Sequence, residues 1–138
     1  MKHISIIALA PAFGVATFTD QGLKDAVAAW LANEEMEHGE ISEFDTSGVT
    51  DLSNLFYGAA DFSEDISAWD TSSVTSLRNT FRDASAFDVD LNNWDVSKVT
   101  DMAYAFKGAK NFHEPLSTWD TSSVTTLYET SVGAQAPT

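Results

Sequence analysis

Apolar positions recur every 25 residues from Ile41 onward, and no insertion breaks the period. Ile41, Ile66, Leu91 and Leu116 form one column; Phe44, Trp69, Trp94 and Trp119 form the next. Val49, Val74, Val99 and Val124 follow, then Leu52, Leu77, Met102 and Leu127. Phe56, Phe81 and Phe106, the alanines 59, 84, 109 and 134, and Phe62, Phe87 and Phe112 complete the pattern. One such unit cannot enclose its own apolar side chains, whereas stacked units bury each column against its copies. Within a unit, Trp-Asp-Thr/Val-Ser alternates inward and outward, which predicts a short strand, and four copies predict a parallel ladder. Val74, Leu77, Phe81 and Ala84 are spaced 3, 4 and 3, which predicts a short helix capped by Ser72 or Ser73. The expected fold is therefore an α/β repeat solenoid with short parallel strands plus one short helix per 25-residue coil.

The flanks read differently. Leu23, Ala26, Val27, Trp30 and Leu31 recur at helical spacing behind Thr19 or Asp20 as N-cap, and Gly39 fits a turn. An array exposes a cross-section of its core unless its first coil is covered, so residues 17–40 are expected to be an N-terminal capping helix and turn. Residues 1–16 have a basic start, a short apolar run and small residues at Ala10, Ala12, Gly14 and Ala16. That pattern predicts a secretory signal peptide; the competing reading makes residues 4–9 a first buried strand. Residues 41–130 hold four repeats, the last incomplete, with Ser131 where Phe is expected. Residues 131–138 read as a flexible tail. The thinly covered last coil predicts either a longer parent chain or self-association and partner docking through the C-terminal coil.

The phrase Trp-Asp-Thr-Ser-x-Val-Thr-x-Leu-x-x-x-Phe-x-x-Ala-x-x-Phe, as in residues 69–87, resembles the repeat of the BspA-like leucine-rich-repeat family of bacterial surface proteins and Mycoplasma lipoproteins. The resemblance covers residues 41–130. It implies a short leucine-rich-repeat-like array on a secreted or cell-surface protein, in some members linked to adhesion, with no catalytic residues to carry over. Shared fold alone does not assign adhesion.

Charge narrows the partners. Twenty-one acidic against seven basic residues give a net charge of -14, which repels nucleic acid and anionic membranes. The apolar runs are too short to span a bilayer. With no cysteine, disulfides, thiolate metal sites and thiol chemistry are excluded. His3, His38 and His113 are isolated, which argues against zinc, and neither a nucleophile turn nor a glycine-rich phosphate loop occurs. No catalytic site, metal or cofactor is expected, and hydrolase is the last alternative.

The candidate binding residues are Asp45, Asp70, Asp95 and Asp120, one per repeat. Stacked strands would place them about 4.8 Å apart as an acidic row on the outer, concave side. Two roles fit that column: accepting backbone N–H groups of the following turn, or holding a hard cation such as Ca²⁺. The tryptophan column is expected in the core rather than as a sugar-stacking platform. Outward positions that vary, namely Glu43, Ala68, Asn93 and Thr118 with Gly48, Ser73, Lys98 and Ser123, are mostly small and polar, without an evident protein hot spot. The function expected is non-enzymatic binding or adhesion toward a protein or glycan ligand, with an end-to-end structural spacer as the alternative.

Overall fold

Thr19 sets the first turn. Its backbone is extended and its hydroxyl oxygen accepts the Gly22 amide at 3.1 Å, which starts helix α1, Asp20–Leu31. Leu23, Ala26, Val27 and Trp30 form the buried face of α1. The computed structural model describes residues 17–33 and 39–130, so the signal-peptide reading and the tail lie outside the described residues. Beyond α1, the named elements among the described residues reduce to a single 3-10 turn at Ile41–Glu43.

The chain then winds in stacked coils, residues 41–65, 66–90, 91–115 and 116–130. The expected α/β solenoid with parallel strands is overturned: no coil holds an α-helix, and no sheet forms among the described residues. Strand-like pairing is confined to isolated parallel bridges, Asp51 to Ser76, Ser76 to Asp101 and Asp101 to Thr126.

The missing helix has a backbone cause. Asn54, Asn79, Tyr104 and Glu129 occupy one column and all have positive φ; Gly58, Asp83 and Gly108 form a second such column four residues on. A left-handed residue at that interval stops helical propagation. The amides of Leu77, Asn79, Phe81 and Asp83 instead donate to the next coil, at the carbonyls of Asp101, Ala103, Ala105 and Lys107. Those of Thr80, Arg82 and Ala84 reach three residues back, to Leu77, Asn79 and Phe81. The 3, 4, 3 apolar spacing is thus met by a chain of tight turns.

The missing strands have a similar cause. Around Trp69-Asp70-Thr71-Ser72 the amides are used locally: Trp69 donates to the Ile66 carbonyl and Val74 to the Thr71 carbonyl. Coils touch here mainly through side chains, with the Thr46 hydroxyl donating to the Asp70 carbonyl at 3.0 Å and Thr71 to the Asp95 carbonyl at 3.1 Å.

Aromatic stacks run through the core along the array. Phe56, Phe81 and Phe106 lie 5.6 and 5.3 Å apart between centroids, and Phe62, Phe87 and Phe112 lie 5.9 and 5.7 Å apart. Phe44, Trp69 and Trp94 stack at 6.5 Å. Helix α1 closes two of these stacks, Trp30 meeting Phe62 edge-on at 5.8 Å, while Phe18 just before it tilts against Phe44 at 4.9 Å.

The first coil is sealed by one carboxylate. In coils 2 to 4 the amides of Thr75, Thr100 and Thr125 donate to the preceding threonine carbonyl, each at 2.8 Å. Thr50 has no preceding coil, and its amide donates to Asp20 Oδ1 at 2.7 Å while its hydroxyl donates to Oδ2 at 2.8 Å. Asp20 therefore replaces a missing backbone acceptor. In the fourth coil, by contrast, Leu127 is 49% exposed where Leu77 is 1%, and Tyr128 is 68% exposed.

Candidate functional site

The four aspartates predicted as a row do occupy equivalent places, and each builds a turn. Oδ1 of Asp45, Asp70, Asp95 and Asp120 accepts the amide of Ser47, Ser72, Ser97 and Ser122 at 3.0–3.1 Å. At the first three the serine hydroxyl also donates to it, at 2.6 Å. The serine hydroxyl and then its amide hold the carboxyls of Asp45, Asp70 and Asp95 below the usual aspartate range, and Ser122 lowers Asp120 likewise. Desolvation pushes the other way at each, joined at Asp70 by the charges of Asp45 and Asp95, and loses.

The same device recurs elsewhere. Asp65 accepts from the Ser67 amide, Asp90 from Asn92, Asp51 from Ser53 and Asp101 from Ala103. Much of the chain's acidity is thus turn chemistry. Among the described residues, no group of three or more His, Asp or Glu is placed to hold a metal ion.

Trp69, Trp94 and Trp119 are buried, and each indole N–H donates to a carbonyl one coil back, those of Ile41, Ile66 and Leu91, at 2.8–3.0 Å. They hold coils together and present no ring to a ligand. A hollow of about 300 Å³ beside α1 is lined by Trp30, Leu31, Asp61, Phe62 and Glu64. It holds two carboxylates but no nucleophile with a base beside it.

A second surface escaped the reading of the repeats. Both arginines and all three tyrosines of the chain fall between Tyr57 and Tyr128 on neighbouring coil positions. The Arg82 guanidinium lies 5.4 Å from the Tyr57 ring centroid and 5.3 Å from that of Tyr104. Arg78 and Lys107 approach the same Tyr104 ring at 5.8 and 5.3 Å. Acids stand beside these cations: Asp101 is 3.3 Å from Arg78, Asp83 is 3.6 Å from Arg82, and Glu129 pairs with Lys107. Tyr57 is 53% exposed. Asn79 donates to Asn54 at 2.9 Å on the same run of turns. The signal was available as variation: positions 53, 78, 103 and 128 read Ser, Arg, Ala, Tyr and positions 54, 79, 104 and 129 read Asn, Asn, Tyr, Glu, beside the apolar column Leu52, Leu77, Met102 and Leu127.

The sequence pattern of a family described as Mycoplasma protein of unknown function, DUF285, matches residues 24–137. The chain belongs to the DUF285 family. No curated protein and no solved structure matches it. For DUF285 the Mycoplasma side of the resemblance read from the repeats holds, whereas the strand-and-helix coil it implied does not. The match spans most of α1 and all four coils, so the turns of the coils, the stacks from Phe44 onward and the Tyr–Arg face lie within DUF285 sequence. No helix among the described residues is long and apolar enough to cross a membrane.

Proposed function

We propose that this protein is a non-enzymatic binding or adhesion module that engages a protein or glycan partner through its Tyr–Arg face. The observation that carries this reading is the contrast between constant and variable columns. Constant outward residues, the Asp, Ser and Thr of each coil, are occupied in turns and in bonds between coils. A second set of variable positions, holding Tyr57, Arg78, Arg82, Tyr104 and Lys107, gathers aromatic and cationic side chains, the composition that interfaces favour at their anchors. The amino-terminal pattern of residues 1–16 supports a secreted or cell-surface setting.

Arrays of immobilised glycans and proteins test the reading. Saturable binding that Tyr57→Ala weakens at least tenfold, with an unchanged melting curve, is the expected result. Absence of saturable binding overturns it, and binding lost in Asp70→Asn/Asp95→Asn but kept in Tyr57→Ala moves the surface to the acidic row.

The end-to-end spacer reading is favoured by a separate observation. Among the described residues Leu127 is 49% exposed where its counterpart Leu77 is 1%, which leaves apolar surface of the fourth coil available to a second copy. Asp20 seals the other edge, so the association this supports joins two C-terminal edges around a two-fold axis. Sedimentation of the wild type against Leu127→Lys tests it: concentration-dependent dimers lost in the variant are expected, and a monomer at every concentration rejects it.

A further inference from the structure

The hollow beside α1 adjoins a second one of about 340 Å³ that reaches Tyr57, and the two share Leu31, Asp61 and Phe62. Its volume lies at the lower end of the ~300–1,000 Å³ range in which proteins hold small ligands. Tyr57, Leu31 and Phe62 give it an apolar lining, the exposed Ala60 stands beside them, and Asp61 adds a carboxylate. The Tyr57 ring is 53% exposed, yet it is held in place by the Arg82 guanidinium at 5.4 Å. That cation is in turn paired with Asp83 at 3.6 Å. The backbone here is already engaged. The Gly58 amide donates to the Arg82 carbonyl and the Ala60 amide to the Gly58 carbonyl, both at 2.8 Å, and the Ala60 carbonyl accepts from the Ala86 amide at 2.9 Å.

From this we infer that the hollow beside Tyr57 takes a sugar residue of a neutral glycan. The inference rests on the binding reading above and selects glycan over protein as the partner. A sugar ring presents C–H groups on a face, which suit an exposed aromatic ring, and hydroxyls around its rim, which donate to a carboxylate such as Asp61. An extended peptide would bring backbone groups that need partners, and the Gly58 and Ala60 amides are spent within the coils. An apolar side chain would strip water from Asp61 and return no hydrogen bond, whereas hydroxyls replace what the water gave. Acidic sugars would meet Asp61, Glu64 and a net charge of -14. The adjoining hollow leaves space for the next sugar of a chain.

Two variants test the inference on arrays that carry neutral glycans, sialylated or sulfated glycans, and peptides side by side. Ala60→Leu fills the hollow while keeping the backbone amide, and Asp61→Ala removes the acceptor. Circular dichroism first establishes which of them keeps the wild-type spectrum and melting curve, and that variant is carried forward. The wild type is expected to bind neutral glycans saturably and to keep its affinity as NaCl is raised, since no charge is matched across the contact. Each folded variant should bind the same glycans roughly tenfold more weakly or worse. Binding confined to peptides or acidic glycans would overturn the neutral sugar, and variants that bind neutral glycans as the wild type does would overturn the hollow. In either case a loss of binding in Tyr57→Ala leaves the binding face standing. If no binding depends on Tyr57, both readings fall.

Discussion

At the scale of single residues, the protein is a set of backbone conformations supplied by well-chosen side chains. The Asp-x-Ser phrase was legible, because an aspartate two residues before an amide is a turn signal in any context. The left-handed columns were equally visible as Asn54 and Asn79, and as Gly58, Asp83 and Gly108. They went unread because apolar residues spaced 3, 4 and 3 fit a helix equally well, and periodicity cannot tell a helix from successive tight turns. Gly108 shows how strict the second column is. It has φ +76°, and a Cβ there would lie 2.2 Å from Asp83 Oδ1 and 3.3 Å from the Asp83 Cα. Gly108→Ala should therefore destabilise the fold by about 1–3 kcal/mol, read as a lower melting temperature. Gly58→Ala meets no atom within 4 Å and bears only the backbone strain of its own positive φ, so its loss should be smaller.

At the scale of elements, helix α1 acts as a lid whose decisive contact is polar. Its apolar face was readable from Leu23, Ala26, Val27 and Trp30, since burial and helical period coincide there. The task of Asp20 was not, because both Thr19 and Asp20 suit an N-cap and only the fold shows that Thr19 takes it. That leaves the Asp20 carboxylate for Thr50 and Asp51, whose amides donate to it at 2.7 and 3.1 Å. Lys24 adds an ion pair to Asp51 at 3.0 Å, partly exposed and worth about 1 kcal/mol at most. Asp20→Ala leaves two amides and a hydroxyl of coil 1 without their acceptor and should lower stability by about 1–2 kcal/mol. Hydrogen exchange checks the cause: the Thr50 and Asp51 amides should lose protection while Thr100, bonded to the Thr75 carbonyl, keeps it.

At the scale of the whole molecule, charge and repetition set the response to conditions. Asp20, Asp45, Asp51, Asp65, Asp70, Asp95 and Asp120 all have carboxyls held below their usual range. At Asp20 and Asp51 burial pushes upward, and the hydrogen bonds they accept outweigh it. A depressed folded-state value means stability that is complete above the unfolded value and lost as pH falls through the folded one. The melting temperature should accordingly hold from neutral pH to about pH 5 and drop below about pH 4. A rise on acidification below pH 4 would mean that relief of repulsion among the carboxylates outweighs the loss of their turns. The repeat also gives the molecule a direction. Interior coils have similar neighbours on both sides, the first coil is closed by a carboxylate and a helix, and among the described residues the fourth leaves Leu127 49% exposed. A nearly uniform chain of units with one weak end opens like a zip, so pulling on the two termini should peel the last coil first and release the helix-capped coil last.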